Sequence, residues 1–158
     1  MNATRREAVL ARVLDEAGVG YELLGHERTE TAAAEAAALD VPPHEVAKTV
    51  VVTTGEGNVR VVVPGSERID MHKLRELLSG GKEVHLLTED DLARDYPEFE
   101  LGAVPPIGGR EDAVVVDTRL AARDHVLLEA GAHDRSARVS PADLVAVARA
   151  TTADVCLD

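Results

Sequence analysis

The sequence is poor in aromatic residues and in cysteine. Only 2% of its 158 residues are aromatic and none is Trp, so the core must be built from Val, Leu, Ala and Ile. That composition favours β-branched strands packed against Ala/Leu helices. Its single cysteine, Cys156, excludes an intramolecular disulfide. A chain of this length with 45% hydrophobic residues can bury a sizeable core, and we expect one domain.

Long hydrophobic runs and a signal-peptide core are also missing. No apolar stretch approaches the about 20 residues that a membrane-spanning helix needs. Residues 1–7 lead into an amphipathic helical pattern rather than a targeting segment. We therefore expect a cytoplasmic protein with no membrane segment.

Positive charge is scarce. Lys and Arg number 17 against 29 Asp and Glu, a formal net charge of -12. Nucleic-acid-binding proteins usually carry a basic surface, so this balance counts against binding along an RNA. An enzyme that contacts only one end of an RNA would depend on a local basic patch, and the overall charge would slow its association.

Common nucleotide, metal and nucleophile motifs are absent. Gly80-Gly81-Lys82 lacks the upstream glycine of a phosphate-binding loop, and no G-x-G-x-x-G follows a strand. The six histidines show no spacing that presents two imidazoles from one element. No G-x-S-x-G is present, and Cys156 near the chain end is a poor nucleophile candidate. The sequence thus predicts no metal and no other cofactor.

Hydrophobic periodicity and turn residues divide the chain into short elements. The first helix is predicted from a Thr4-x-x-Glu7 capping box to a stop at Gly18. A Gly-containing turn joins two Val-rich runs into a hairpin. Further helices are predicted at 31–39, 70–79 with a stop at Gly80-Gly81, 88–96 and 140–149, and strands at 21–24, 49–54, 58–63, 83–87, 113–116, 126–128 and 136–139.

Short loops between these strands, with helices early and at the end, predict the fold class. We expect an α/β (α+β) domain over residues 1–158, with a compact mixed, mainly antiparallel sheet or barrel-like sheet and flanking helices. The strict βαβ alternation of a doubly wound fold is missing.

Lys48 lies between Val46-Ala47 and Thr49-Val50-Val51-Val52, at the start of a strand that should be buried. Its stem can lie along apolar surface while the ammonium reaches water. Alternatively, it presents a fixed positive charge to a cleft, where it holds a phosphate or ester oxygen and stabilises an acyl-transfer transition state. By itself the residue pattern leaves both interpretations open.

A loop rich in glycine and proline spans residues 102–109. Glycines allow close backbone approach to a ligand and prolines restrict the loop, so its amides can be held ready as donors. An ordinary turn explains the composition equally well. His133, after Gly131-Ala132, is either an exposed turn residue or a polar group at a strand end that contacts substrate.

The order and spacing of these segments resemble the YbaK/ProX family of prolyl-tRNA editing domains over nearly the whole chain. The resemblance rests on residues 29–37 ahead of Val41-Pro42, on VAKTVVV at 46–52, on GAVPPIG at 102–108, on AGAH at 130–133 and on SPADL at 140–144.

This resemblance implies a sheet-rich domain that hydrolyses the ester between a wrong amino acid and the terminal ribose of tRNA, without metal or nucleotide cofactor. It implies that Lys48 is the essential lysine, and that the partners are the acceptor end of aminoacyl-tRNA and a prolyl-tRNA synthetase. The substrate-binding residues that it implies are His26, Thr49, Gly102, Ala103, Val104, Pro105, Pro106, Gly108 and His133, with His26 only loosely aligned.

The missing nucleophile then suggests catalysis by positioning. Lys48 would anchor the acceptor end and loop amides would hold the carbonyl, while an oriented water attacks with help from the ribose hydroxyl. Ala103, Val104 and the two prolines would wall a pocket for Ala, Cys or Ser. Such editing is needed because a synthetase pocket rejects a smaller side chain by only about 1–3 kcal/mol per methylene.

Two other functions fit the sequence. A non-catalytic module that binds an amino acid or aminoacyl group fits the net charge better. A small-molecule esterase would have kept the lysine and the loop but not the tRNA. Turnover of mischarged tRNA and of free aminoacyl esters separates the three.

Overall fold

The computed structural model describes residues 3–79 and 83–158, with side chains from residue 8 onward. Its helices are α1 (Ala3–Glu16), α2 (Ala32–Ala38), α3 (Met71–Leu78), α4 (Glu89–Asp95), α5 (Thr118–Ala121) and α6 (Pro141–Ala148). Its strands are β1 (Glu22–Gly25), β2 (Ala47–Thr53), β3 (Asn58–Pro64), β4 (His85–Leu86), β5 (Ala113–Asp117), β6 (Val126–Glu129), β7 (Arg135–Val139) and β8 (Thr151–Ala153).

Side-chain caps start the helices near the predicted positions. Thr31 accepts a hydrogen bond from the Ala34 amide at α2, and Thr88 and Asp91 form a capping box at α4. At α6, Ser140 occupies the N-cap position without a side-chain bond, and Pro141 follows it. The side chains of the predicted Thr4-x-x-Glu7 box and the Gly80-Gly81 stop lie outside the described residues.

Two sheets form the fold. A three-stranded antiparallel sheet has the order β1-β7-β6, and a five-stranded mixed sheet has the order β4-β2-β3-β5-β8. The predicted β2–β3 hairpin is confirmed, with Ala47 opposite Pro64 and Thr53 opposite Asn58. A parallel bridge between Val46 and Leu127 connects the two sheets. The predicted α/β class with flanking helices is confirmed, and the described strands form no closed barrel.

The sequence-based prediction missed two elements and one aspect of the topology. β8 and α5 were not predicted, because segments of three and four residues are too short for a periodic signal. β4 is confined to His85–Leu86 instead of residues 83–87. β3, β5 and β8 pair in parallel, which a strand's own pattern does not reveal because it carries no information about its partner.

The core is built from Val, Leu and Ala, as the composition predicts. One cluster lies between α1, α5 and α6 and the sheets, and another packs Leu74 of α3 against β3 and β5. The scarce aromatic residues Tyr96 and Phe99 pack with Val51 and Val104, under the Gly/Pro-rich loop. In the described ranges no helix is long and apolar enough to span a bilayer.

Candidate functional site

A buried arginine holds the Gly/Pro-rich loop in place. Arg60, in the middle of β3, is 1% exposed and donates hydrogen bonds to the carbonyl oxygens of Pro105 at 2.9 Å, Gly108 at 2.7 Å and Arg110 at 3.1 Å. Its Nε donates to Asp112 Oδ2 at 2.9 Å. A guanidinium has five N–H groups in a fixed fork, so one side chain fixes the path of residues 105–112.

Tyr96 belongs to the same buried polar cluster as Arg60 and Asp112. Its hydroxyl donates to Asp112 Oδ2 at 2.7 Å, and the Arg60 guanidinium lies 4.9 Å from its ring centroid. Burial raises the pKa of Tyr96 to about 12, and its hydrogen bond to Asp112 acts in the same direction. Tyr96 therefore stays a neutral donor, and the loop rests on a fully paired polar cluster.

Residues 100–102, at the start of the Gly/Pro-rich loop, lie against the turn between β6 and β7. The Glu100 amide donates to Gly131 O at 2.8 Å, and His133 Nε2 lies 2.7 Å from Leu101 O. A Cβ built on Gly102 would lie 3.5 Å from His133 Cε1. His133 is 5% exposed, so it is not an exposed turn residue. The structure thus brings together two segments predicted to contact substrate.

Several amides of the loop have no hydrogen-bond partner among the described residues. The Ala103 amide donates to Glu100 O at 3.0 Å and is used within the turn. Those of Gly102 and Val104 have no hydrogen-bond partner in the described parts of the chain. The amides of Ile107, Gly108 and Gly109 also have none. Those of Gly102 and Val104 are candidate donors to a carbonyl oxygen that develops negative charge.

A cavity of about 220 Å³ opens beside these amides; we call it the Gly102 cavity. Thr49 gives it a polar side, and the remaining walls are mostly aliphatic. The buried loop residues Ala103, Pro105 and Pro106 are not among its lining residues, and Pro106 lines a different cleft. Its lining residues are Thr49, Val50, Val51, Leu86, Leu87, Leu92, Gly102 and Val104.

Lys48 lies on β2 opposite Val63, partly buried. Lys48 is not among the residues that line the Gly102 cavity, although its neighbours Thr49 and Val50 are. Among the residues described, no hydrogen bond or ion pair holds the Lys48 ammonium.

His26 belongs to a hydrogen-bonded chain behind the turn. Its Nε2 lies 2.9 Å from Ser136 Oγ, and that hydroxyl donates to Glu35 Oε2 at 2.5 Å. Its Nδ1 lies 2.6 Å from Glu27 O. Burial raises the pKa of Glu35, while the Ser136 hydrogen bond and the nearby His26 and His133 oppose that shift. His26 therefore supports a buried carboxyl group rather than reaching the Gly102 cavity.

Glu129 is the most perturbed acid of the site. Burial raises its pKa to about 9, and repulsion from Glu35, Glu100 and Glu30 adds to the shift. Its Oε2 is fully buried and has no hydrogen-bond partner among the described residues. A carboxyl group held in this state is typical of functional sites.

The shifted pKa of Glu129 predicts that stability depends on pH. Between the ordinary pKa of 4.5 and about 9, the folded chain binds one more proton than the unfolded chain. The free energy of unfolding should therefore fall as pH rises through this window, by at most about 1.4 kcal/mol per pH unit. Urea unfolding at pH 5 and pH 8 measures the difference. Glu129→Gln should flatten the dependence, and an unchanged slope in that variant would assign it to another group.

Gly102 has a φ of +83°, which side chains with a Cβ rarely adopt. Gly102→Ala should cost about 1–3 kcal/mol in local strain and place a methyl group in contact with His133. We expect a lower melting temperature and a further loss of site activity. Gly57→Ala, in an open turn with no atom near the added Cβ, is the matched control. Equal behaviour of the two variants would contradict a special role for Gly102.

A larger cleft of about 680 Å³ lies beside α1, α6 and the far end of the loop. Its buried charges, Arg60 and Asp112, pair with each other. The cleft is also lined by Glu111 and Arg149, whose charged groups have no partner among the described residues. In the described residues no group of three or more His, Cys, Asp or Glu is placed to hold a metal.

Sequence patterns did not single out Arg60, Glu35 or Glu129. Each was visible as one charge within an apolar run, in NVRVVVP, AAAEAAA and VLLE. Burying a charged side chain costs free energy unless the charge is paired. A charge in a buried segment therefore indicates an ion pair or a functional site. That signal could have identified all three.

Solved structures of other proteins share the fold of this chain. The chain resembles the crystal structure of hypothetical protein APE2540, with 28% sequence identity, a TM-score of 0.86 and coverage of 94% of this chain and 99% of that one. A candidate trans-editing enzyme for prolyl-tRNA synthetase shares the fold, with 22% identity, a TM-score of 0.90 and coverage of 99% and 100%. A search of curated sequences gives no match.

A family model identifies the protein family to which the chain belongs. The model of the aminoacyl-tRNA editing domain matches residues 26–147, more than half of the chain, and the match includes the loop, the β6–β7 turn and Lys48. The chain belongs to the aminoacyl-tRNA editing domain family, the YbaK/ProX family that its sequence resembles.

Proposed function

We propose that this protein is an aminoacyl-tRNA deacylase that hydrolyses the ester of a small, wrongly attached amino acid, Ala, Cys or Ser, on tRNA, with tRNA(Pro) as the expected carrier. The observation that carries the proposal is the close approach of His133 to the backbone at Gly102, where an added Cβ would lie 3.5 Å from the imidazole, beside loop amides that no described residue pairs. These donors and the neighbouring cavity suit an ester carbonyl.

Each group has a role in this reaction. The Gly102 and Val104 amides hold the carbonyl oxygen and stabilise the oxyanion that forms when water attacks. Lys48 attracts the 3′-terminal nucleotide, since no described residue pairs with its ammonium. The attacking water adds to the carbonyl carbon, and the ester C–O bond breaks to release the amino acid and the ribose hydroxyl. The reaction proceeds by positioning and without a metal.

The charge distribution limits how tRNA binds. With a net charge of -12, the protein repels most of the RNA backbone. Contact confined to the acceptor end avoids this repulsion. Delivery by a prolyl-tRNA synthetase would also raise the local concentration of substrate, and is part of the proposal.

A deacylation panel tests the function. Ala-, Cys- and Ser-tRNA(Pro), correctly charged Pro-tRNA(Pro) and the corresponding aminoacyl ethyl esters are incubated with the protein, and loss of the ester is followed. We expect at least one mischarged tRNA to be hydrolysed well above its buffer rate, while Pro-tRNA(Pro) is spared. Turnover of ethyl esters alone would indicate a small-molecule esterase. Binding without any turnover would indicate a non-catalytic module.

A further inference from the structure

The Gly102 cavity opens onto the edge of strand β2. It is lined by the successive residues 49–51. Because side chains alternate along a strand, a cavity that reaches three successive residues meets the backbone edge of the strand as well as one face. On this edge, β4 pairs only with Val52 and Thr53, and the bridge at Val46 lies at the other end. Among the described strands, none covers the edge between them.

One hydrogen bond identifies the backbone groups that face this open edge. The Leu87 amide donates to Val51 O at 3.1 Å, so Val51 turns its C=O and N–H groups away from β3. Both backbone groups of a strand residue point to the same side, and that side alternates along the strand. Thr49 therefore turns its backbone groups the same way. The Thr49 carbonyl and the Val51 amide are neighbours on the open edge.

Neither of these two groups is paired within the described chain. Val51 is 6% exposed, yet its amide donates to no described residue, and Thr49 O accepts a hydrogen bond from none. A buried backbone amide without a partner is rare, and its cost is comparable to that of a lost hydrogen bond. The open edge thus presents one acceptor and one donor, side by side, to a ligand in the Gly102 cavity.

The size of the Gly102 cavity does not suit a small side chain. A water molecule occupies about 30 Å³ of liquid, and the side chains of Ala, Cys and Ser are of similar size. Any of them would fill only a small part of about 220 Å³. Packed interiors leave few voids larger than a water molecule, so a larger part of the substrate fits this cavity better.

The walls of the Gly102 cavity suit a flat, uncharged ring. None of its lining residues is charged, and Leu86, Leu87 and Leu92 supply aliphatic surface. Proteins that bind an unpaired nucleotide stack the base on aromatic or apolar side chains and read its Watson–Crick edge by hydrogen bonds. A neutral base also avoids the repulsion that a net charge of -12 exerts on phosphates.

We propose that the Gly102 cavity binds the adenine of the 3′-terminal adenosine of tRNA. The N6 amino group of adenine donates to the Thr49 carbonyl, and the Val51 amide donates to N1. This inference rests on the proposed deacylase function, because the base then lies beside Gly102, whose amide holds the ester carbonyl of the same nucleotide. The cavity selects the nucleotide, and the amino acid lies outside it.

Titration of the isotope-labelled protein with free nucleosides, followed by NMR, tests this subsite without any turnover. Adenosine should shift the amide resonance of Val51, because that amide donates to N1. Inosine has nearly the same size, but it carries a carbonyl at C6 and a proton at N1, so it opposes both backbone groups. We expect inosine to bind at least about tenfold more weakly, the loss expected for a bidentate pair.

Leu92→Phe places a larger side chain in the cavity wall and should weaken adenosine binding by about tenfold or more. Leu77→Phe makes the same change at a 38% exposed leucine of α3 that does not line the cavity. It is the matched control and should bind adenosine like the wild type. The dispersion of the amide resonances shows whether each variant is folded, and the comparison of adenosine with inosine needs only the wild-type protein.

Three results would overturn the inference. Equal affinity for adenosine and inosine would show that the strand edge does not read the base. A Val51 resonance that adenosine leaves unchanged would place the base outside the cavity. A response of the cavity to alaninamide, which carries the amino acid without a base, and not to adenosine would make it the amino-acid pocket, while the deacylase function stands. Adenosine binding at Val51 without turnover in the deacylation panel would instead remove the deacylase function and leave the subsite in place.

Discussion

Lys48→Ala should lower the rate of deacylation by about 100-fold or more, a loss comparable to that of a single transition-state donor. The reason is electrostatic. Lys48 is a partly buried cation at the start of β2, and no described residue pairs with its ammonium. In a chain of net charge -12, few other groups can hold an RNA phosphate near the acids of the site.

Single-turnover deacylation of the preferred mischarged tRNA measures this effect. Lys48→Arg keeps the charge on a planar head group and should lose less. Arg123→Ala removes a positive charge from an exposed position before the start of β6, at the end of that strand away from Glu129. It should leave the rate unchanged. Full activity in Lys48→Ala would refute the assigned role.

Arg60→Met should cost about 3–5 kcal/mol of stability, because it leaves a buried carboxylate short of its partner. Asp112 is 2% exposed in its side chain, and the carbonyl oxygens of Pro105 and Gly108 would also lose their donor. The free loop would no longer hold the Gly102 and Val104 amides together. We therefore expect the rate of deacylation to fall even under conditions in which the variant remains folded.

Urea unfolding and deacylation below the unfolding midpoint separate the two effects. Arg110→Ala is the matched control, since Arg110 also donates to Asp112 at 2.9 Å but is 37% exposed. Exposed ion pairs contribute about 1 kcal/mol or less, so this variant should be nearly as stable as the wild type. A similar cost for both variants would show that burial of Arg60 does not matter.

Much of the fold could be predicted from local pattern. The β2–β3 hairpin follows from two Val-rich runs around a glycine turn, and the caps at Thr31 and Thr88 from residue type. These features depend on neighbours a few residues away. The parallel order of β3, β5 and β8 could not be predicted, because it is decided by packing between distant segments.

The residues of the candidate site were likewise only partly predictable from the sequence. Lys48, the loop at Gly102 and His133 were predicted as separate pieces, joined by the family resemblance. Arg60 was not predicted as their anchor, because its partners Pro105 and Asp112 lie 45 and 52 residues further along the chain. The predicted walls Ala103, Pro105 and Pro106 are buried, since a loop pattern does not show which side faces solvent.

By itself, the sequence determined the class of the molecule: one family of editing domains, a Val/Leu/Ala core and a lysine at the start of a strand. Only the tertiary structure decided what the site is made of. It placed His133 close to Gly102, left several loop amides without a partner among the described residues and buried Glu129 near other acids. The physical reason is that burial, hydrogen bonding and repulsion between charges depend on distance in space, and the chain brings these groups together only when it folds.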